Sequence, residues 1–122
     1  MRDQETIINA GGPKVLNALL RCFRSDSKAA THFERIDTIK DLWVLELEAN
    51  RGRESWSVWL SDVQNRISSD EAFFASLSEG STDFTLHITV EMSEIQAVRI
   101  PTFFSSLAAK IGFQVEIFRP AA

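Results

Sequence analysis

The residues best suited to chemistry are few and scattered. The only histidines are His32 and His87, and neither stands in an H-x-H or H-E-x-x-H pattern that would preorganise a metal site. The lone Cys22 cannot form an internal disulfide; it lies at the flank of an expected helix face, where a small half-buried residue is a better reading than a reactive thiol. Serines are plentiful, yet no G-x-S-x-G elbow holds one beside a base. Gly11-Gly12-Pro13-Lys14 is too short for a phosphate cradle, and Pro13 removes an N–H that a cradle would use. One acid and base grouping can be assembled, with His87 and Glu91 on one strand face and Glu46 or Glu116 on neighbouring strands. General acid–base work there would need a pocket to position a substrate. No enzyme, cofactor or metal is therefore expected.

The elements that must carry these residues fit one domain, residues 1–122. Hydrophobic residues make up 44% and charged residues 25% of the chain, a balance that excludes disordered and fibrous classes and allows one self-sufficient core. No apolar run reaches the roughly 20 residues needed to cross a bilayer. Met1-Arg2-Asp3-Gln4-Glu5 lacks the basic start and apolar stretch of a signal peptide, so a cytoplasmic location is expected. The net charge of −4 is uneven. Residues 1–53 hold nine Lys and Arg against eight Asp and Glu. Residues 54–98 hold eight acids and the single base Arg66. This imbalance disfavours nucleic acid and suits a basic partner.

Residues 13–23 are predicted to be helical, with Pro13 in the first turn and Leu16, Leu19, Leu20 and Phe23 at helical spacing. Arg24-Ser25-Asp26-Ser27-Lys28 then reads as a polar exit loop. Residues 6–9 could form a short edge strand, but four residues do not decide it. A weakly extended stretch at 32–39 and a clear strand at 42–48 form a predicted hairpin, Trp43, Leu45 and Leu47 facing the core and Val44, Glu46 and Glu48 the other side. In residues 54–60 Trp56, Val58 and Leu60 alternate like a strand. Helical spacing explains more, since Trp56, Trp59, Leu60, Val63 and Ile67 fall within an arc of about 100°. Ser68-Ser69-Asp70-Glu71 offers a capping box with Ser68 as N-cap, restarting or kinking the helix ahead of Phe73, Phe74 and Leu77. Phe84, Leu86, Ile88, Val90 and Met92 alternate as a half-buried strand. Pro101 starts a helix with Ile100, Phe103, Phe104, Leu107 and Ile111 on one side; Gly112 ends it, and residues 113–118 form a last strand.

This order predicts an α+β fold: a two-layer sandwich with a mostly antiparallel sheet of about four to five strands and about three helices on one face. The open face would carry Glu46, Glu48, Thr85, His87, Thr89, Glu91, Gln114 and Glu116, an assignment that one register slip would scramble. Threonines and glutamates on that face, in place of aromatic and basic residues, argue against nucleic-acid binding. The three tryptophans fall on predicted core faces.

The tryptophan-bearing strand, the long helix and the closing series Asp83-Phe84-Thr85-Leu86-His87-Ile88, Ile100-Pro101, Leu107-Ala108-Ala109-Lys110-Ile111-Gly112-Phe113 and Val115-Glu116-Ile117-Phe118 resemble a large, mostly bacterial family of small α+β domains classified only as a domain of unknown function. The resemblance covers residues 42–118 and is structural rather than catalytic. The N-terminal third departs from it, and Phe118 stands where a tyrosine is expected. Some domains of this kind resemble immunity proteins that neutralise toxins in bacterial competition. The resemblance implies no functional residues.

The function expected from these readings is a non-enzymatic protein-binding module, of immunity type, that meets a basic protein partner through acidic surface. The candidate partner-binding residues are Glu46, Glu48, His87, Glu91 and Glu116. The alternatives are a homodimeric structural or regulatory subunit, using an exposed sheet edge or the open face, and a small ligand-binding domain or enzyme with a groove near His87.

Overall fold

The computed structural model describes residues 13–51, 54–91 and 98–120. Its first element corrects the sequence reading: Lys14–Phe23 is a ten-residue strand, β1, not a helix. Val15, Ala18, Leu20 and Cys22 are wholly buried, while Asn17, Leu19, Arg21 and Phe23 turn to the other face. A bulge between Val15 and Asn17 inserts one residue, so the inward positions depart from strict alternation. Cys22 is accordingly a core residue rather than the flank of a helix.

The remaining strands are β2 (Glu34–Arg35), β3 (Leu42–Leu47), β4 (Thr82–Glu91) and β5 (Gln114–Phe118). They form one five-stranded sheet in the order β2-β3-β1-β4-β5. All neighbours are antiparallel except β4 and β5, which are parallel. The helix between those two, α3 (Thr102–Ile111), supplies the crossover that a parallel pair requires. The predicted hairpin is present, but its first strand shrinks to two residues. The α+β architecture stands with β1 as the fifth strand.

Helix α1 (Trp56–Ser68) opens on Ser55, whose side chain accepts a hydrogen bond from the Val58 N–H at 3.2 Å. It buries Trp56, Trp59, Leu60, Val63 and Ile67, the predicted stripe. The expected capping box does not form. Ser68 closes α1, and α2 (Glu71–Leu77) starts after Asp70 with no side-chain cap. In α3 Phe104, Leu107, Ala108 and Ile111 pack inward, while Phe103, expected inside, is 37% exposed. Gly112 ends α3 at φ +102°. The helices cover the Leu20, Leu86 and Ile88 face of the sheet, and their buried side chains join it in one core. Each large apolar group contributes roughly 1.5–3 kcal/mol by leaving water.

The three tryptophans are core residues with satisfied indoles. Trp43, Trp56 and Trp59 donate to the carbonyls of Arg24 at 3.1 Å, Arg99 at 2.8 Å and Glu48 at 2.7 Å. Arg24, expected in a polar exit loop, is buried at 6% exposure. Its guanidinium grips Asp26 at 2.7 and 3.0 Å, the carbonyls of Leu77 and Glu79 at 3.0 Å, and Ser81 Oγ at 2.7 Å. The end of β1 is thereby clamped to the turn that leads into β4. Residues 6–9 and Met92 lie outside the described residues.

Candidate functional site

The uncovered sheet face follows the predicted pleat. Cross-strand pairing places Glu46 opposite Leu19, Leu19 opposite His87 and His87 opposite Glu116, one row across four strands. His87 and Glu116 are therefore neighbours, whereas β1 separates Glu46 from both. Glu91 stands at the far end of β4 and pairs with Lys14 at 3.3 Å. Glu48 lies just beyond β3. Glu46, His87, Glu91 and Glu116 share the uncovered face without converging on one point, and Glu48 stands apart from them past the strand end.

Arg21, read from the sequence as helical, is the organising cation of this face. Its Nη2 lies 3.3 Å from Asp83 Oδ2 and 3.4 Å from Glu116 Oε1. Reaching from β1 to β5, the side chain crosses β4 above Thr85, which accounts for the complete burial of Thr85 on an otherwise open face. Thr85 in turn donates to Asp83 Oδ1 at 2.8 Å. Asp83 joins the cluster because its backbone is left-handed, at φ +58°, beside a register shift in the β1–β4 pairing. His87 stacks on Phe118 with ring centroids 4.1 Å apart. Burial holds its imidazole below the usual histidine range, and the Arg21 charge adds to this while Glu116 opposes it. The acids around Arg21 are thus partly neutralised from within.

A second arrangement lies at the far end of β3. Beyond the strand, Glu48 C=O accepts the Trp59 indole N–H, which holds α1 against the strand end. Asn50, 3% exposed, accepts the Val15 N–H at 2.8 Å and donates to the Glu54 carbonyl at 3.4 Å. The Arg51 N–H bonds the Val15 carbonyl at 3.1 Å. These bonds stitch the loop after β3 to the β1 bulge, where the sheet ladder has stopped. Between the strand end and α1 they leave a groove of about 490 Å³. Leu47, Trp59 and Val63 give it an apolar lining, and Glu48, Glu54, Asp62 and Arg66 its charges. A hollow of about 300 Å³ adjoins it, with Glu46, Glu48 and Arg51 in its walls.

Among the described residues, Glu46, Glu48, Glu54 and Asp62 enter none of the ion pairs, unlike Asp83, Glu91 and Glu116. Sequence reasoning had the first two of these four in its candidate set and missed Glu54 and Asp62 as site residues. The spacing of Trp59, Asp62, Val63 and Arg66, within one side of a helix, was the available signal. Nothing in the sequence indicated that β3 would end beside that side. His32, far from His87, contacts Asp70 at 2.9 Å and packs against Phe73 and Phe74. Among the described residues no three His, Cys, Asp or Glu side chains converge to hold a metal ion, and no helix is long and apolar enough to cross a membrane. No family model, curated protein or solved structure matches the chain.

Proposed function

We propose that this chain is a non-enzymatic protein-binding module that receives a basic segment of a protein partner in the acidic groove between the end of β3 and α1. The observation that carries this reading is the groove itself, an apolar floor at Trp59 rimmed by three carboxylates and one guanidinium. Such a rim steers a cationic segment by its field, and the floor gives the aliphatic stems of lysine or arginine a surface to cover. Of the sequence-derived set, Glu48 keeps a binding role in the groove, with Glu46 in the adjoining hollow. Glu91 and Glu116 are engaged by Lys14 and Arg21, and His87 by its stack on Phe118. A module of this kind accords with the immunity-type resemblance and with a cytoplasmic setting, both parts of the same proposal.

The test is a pull-down from lysate with the tagged chain and with a Glu48→Lys, Glu54→Lys, Asp62→Lys variant, washed at low and then high salt. One basic protein, held by the parent, released by salt and lost with the variant, is the expected result. Equal retention by the folded variant overturns the groove as the binding surface.

A further inference from the structure

The two edges of the sheet are built differently. At one edge β2 is only two residues long, and both, Glu34 and Arg35, are charged and exposed. Short length and charge are the usual defences of an edge against pairing. At the other edge β5 runs for five residues and pairs on one side only, with β4, in an unbroken register. Among the described residues nothing pairs with its outer side. Gln114–Phe118 contains no proline, lysine, arginine or bulge, and Phe118 is 42% exposed. Its single charge, Glu116, faces Arg21 of the same chain at 3.4 Å. The one charge on this strand is thus partly offset by an internal cation, which Asp83 shares.

We propose that the outer edge of β5 pairs antiparallel with β5 of a second copy of this chain, joining two sheets into one ten-stranded sheet. A two-fold axis perpendicular to the sheet keeps helices on the same side in both copies, so only registers that preserve face are allowed. Charge selects among them. Centring on Glu116 sets two carboxylates opposite each other, and centring on Ile117 sets each carboxylate against Phe118 of the other copy. Centring on Val115 places Gln114 of each copy opposite Glu116 of the other, an amide donor facing a carboxylate acceptor, twice by symmetry. Within β5 this register pairs residues 114–116 of the two copies, with the half-buried Val115 of each against the other on the helix side. The pairing therefore combines open backbone groups with self-complementary side chains.

Light scattering on the eluting protein across a wide dilution series tests this. The parent chain is expected at twice its monomer mass, dissociating on dilution. Gln114→Glu opposes two carboxylates at both symmetric positions and is expected to weaken self-association by about tenfold. Gln114→Lys places a cation there and is expected to preserve or tighten it. Gln114 is exposed, and unchanged circular dichroism is the check that both variants keep the fold. A monomer at every concentration, a dimer indifferent to Gln114→Glu, or one weakened equally by both substitutions overturns the proposal.

Discussion

Arg24 shows how far one side chain's role can differ from the impression its neighbours give. Ringed in sequence by Ser25, Asp26, Ser27 and Lys28, it looks like a solvated loop residue, yet it holds two carbonyls, a hydroxyl and a carboxylate while almost fully buried. Arg24→Ala removes the donors from those buried carbonyls and should lower stability by about 3 kcal/mol in urea unfolding; a loss within about 0.5 kcal/mol would show the clamp to be ornamental. The pH dependence follows from its partner. Hydrogen bonding to Arg24, reinforced by the Lys28 N–H, pushes the Asp26 carboxyl down to about 2. In the unfolded chain it titrates near its ordinary value of about 3.9. Between these values the unfolded state binds more protons, so this stabilisation is whole above the ordinary value and is lost as pH falls toward 2. Asp26→Asn should flatten that limb of the stability profile. None of this was legible in the sequence, because the carbonyls Arg24 serves lie more than fifty residues away. The outward threonines and glutamates of β4 and β5 were legible because pleat alone fixes them.

Elements were readable where their apolar period was unbroken. The α1 stripe is present, as are the buried Phe84, Leu86, Ile88 and Val90 of β4, Pro101 before α3 and Gly112 after it. The failure at β1 has a specific physical source. The bulge at Leu16 shifts the inward set to Val15, Ala18, Leu20 and Cys22, while the apolar residues Leu16, Leu19, Leu20 and Phe23 imitate a helical stripe. A central strand whose two faces are both partly apolar cannot be told from a helix by period alone. Arg21 was lost with it, and so was the centre of the open face. The α3–β5 turn leaves no room for even a small change. Gly112 has φ +102°, and a Cβ there would lie 2.7 Å from Ser78 Cβ on the segment after α2. Gly112→Ala therefore adds backbone strain to a clash and should destabilise by at least about 1 kcal/mol. Thermal unfolding measures it, and a melting temperature equal to that of the parent would mean that the turn relaxes freely.

Across the whole molecule, three of the eight acids of residues 54–98 are engaged by the first third of the chain. Asp83 meets Arg21, Glu91 meets Lys14 and Asp70 meets His32. These exposed or half-exposed pairs are worth little individually. Their consequence is spatial: Glu46, Glu48, Glu54 and Asp62, which enter no ion pair among the described residues, lie together at the β3 end, on the opposite side of the sheet from β5. Pairing through β5 and binding in the groove therefore do not compete, and a dimer would present two acidic grooves at once. A surface densely coated with a lysine- and arginine-rich peptide should then release the parent chain about a hundredfold more slowly than Gln114→Glu, by avidity alone. For the same peptide free in solution the two proteins should show equal affinity, since Gln114 lies outside the groove. Added salt should weaken both forms on the peptide while leaving the parent's self-association, which rests on backbone pairing, nearly unchanged. Equal release rates from the dense surface, with the parent verified as dimeric, would mean that the two grooves do not act together; unequal affinities in solution would mean that β5 itself contributes to the binding surface.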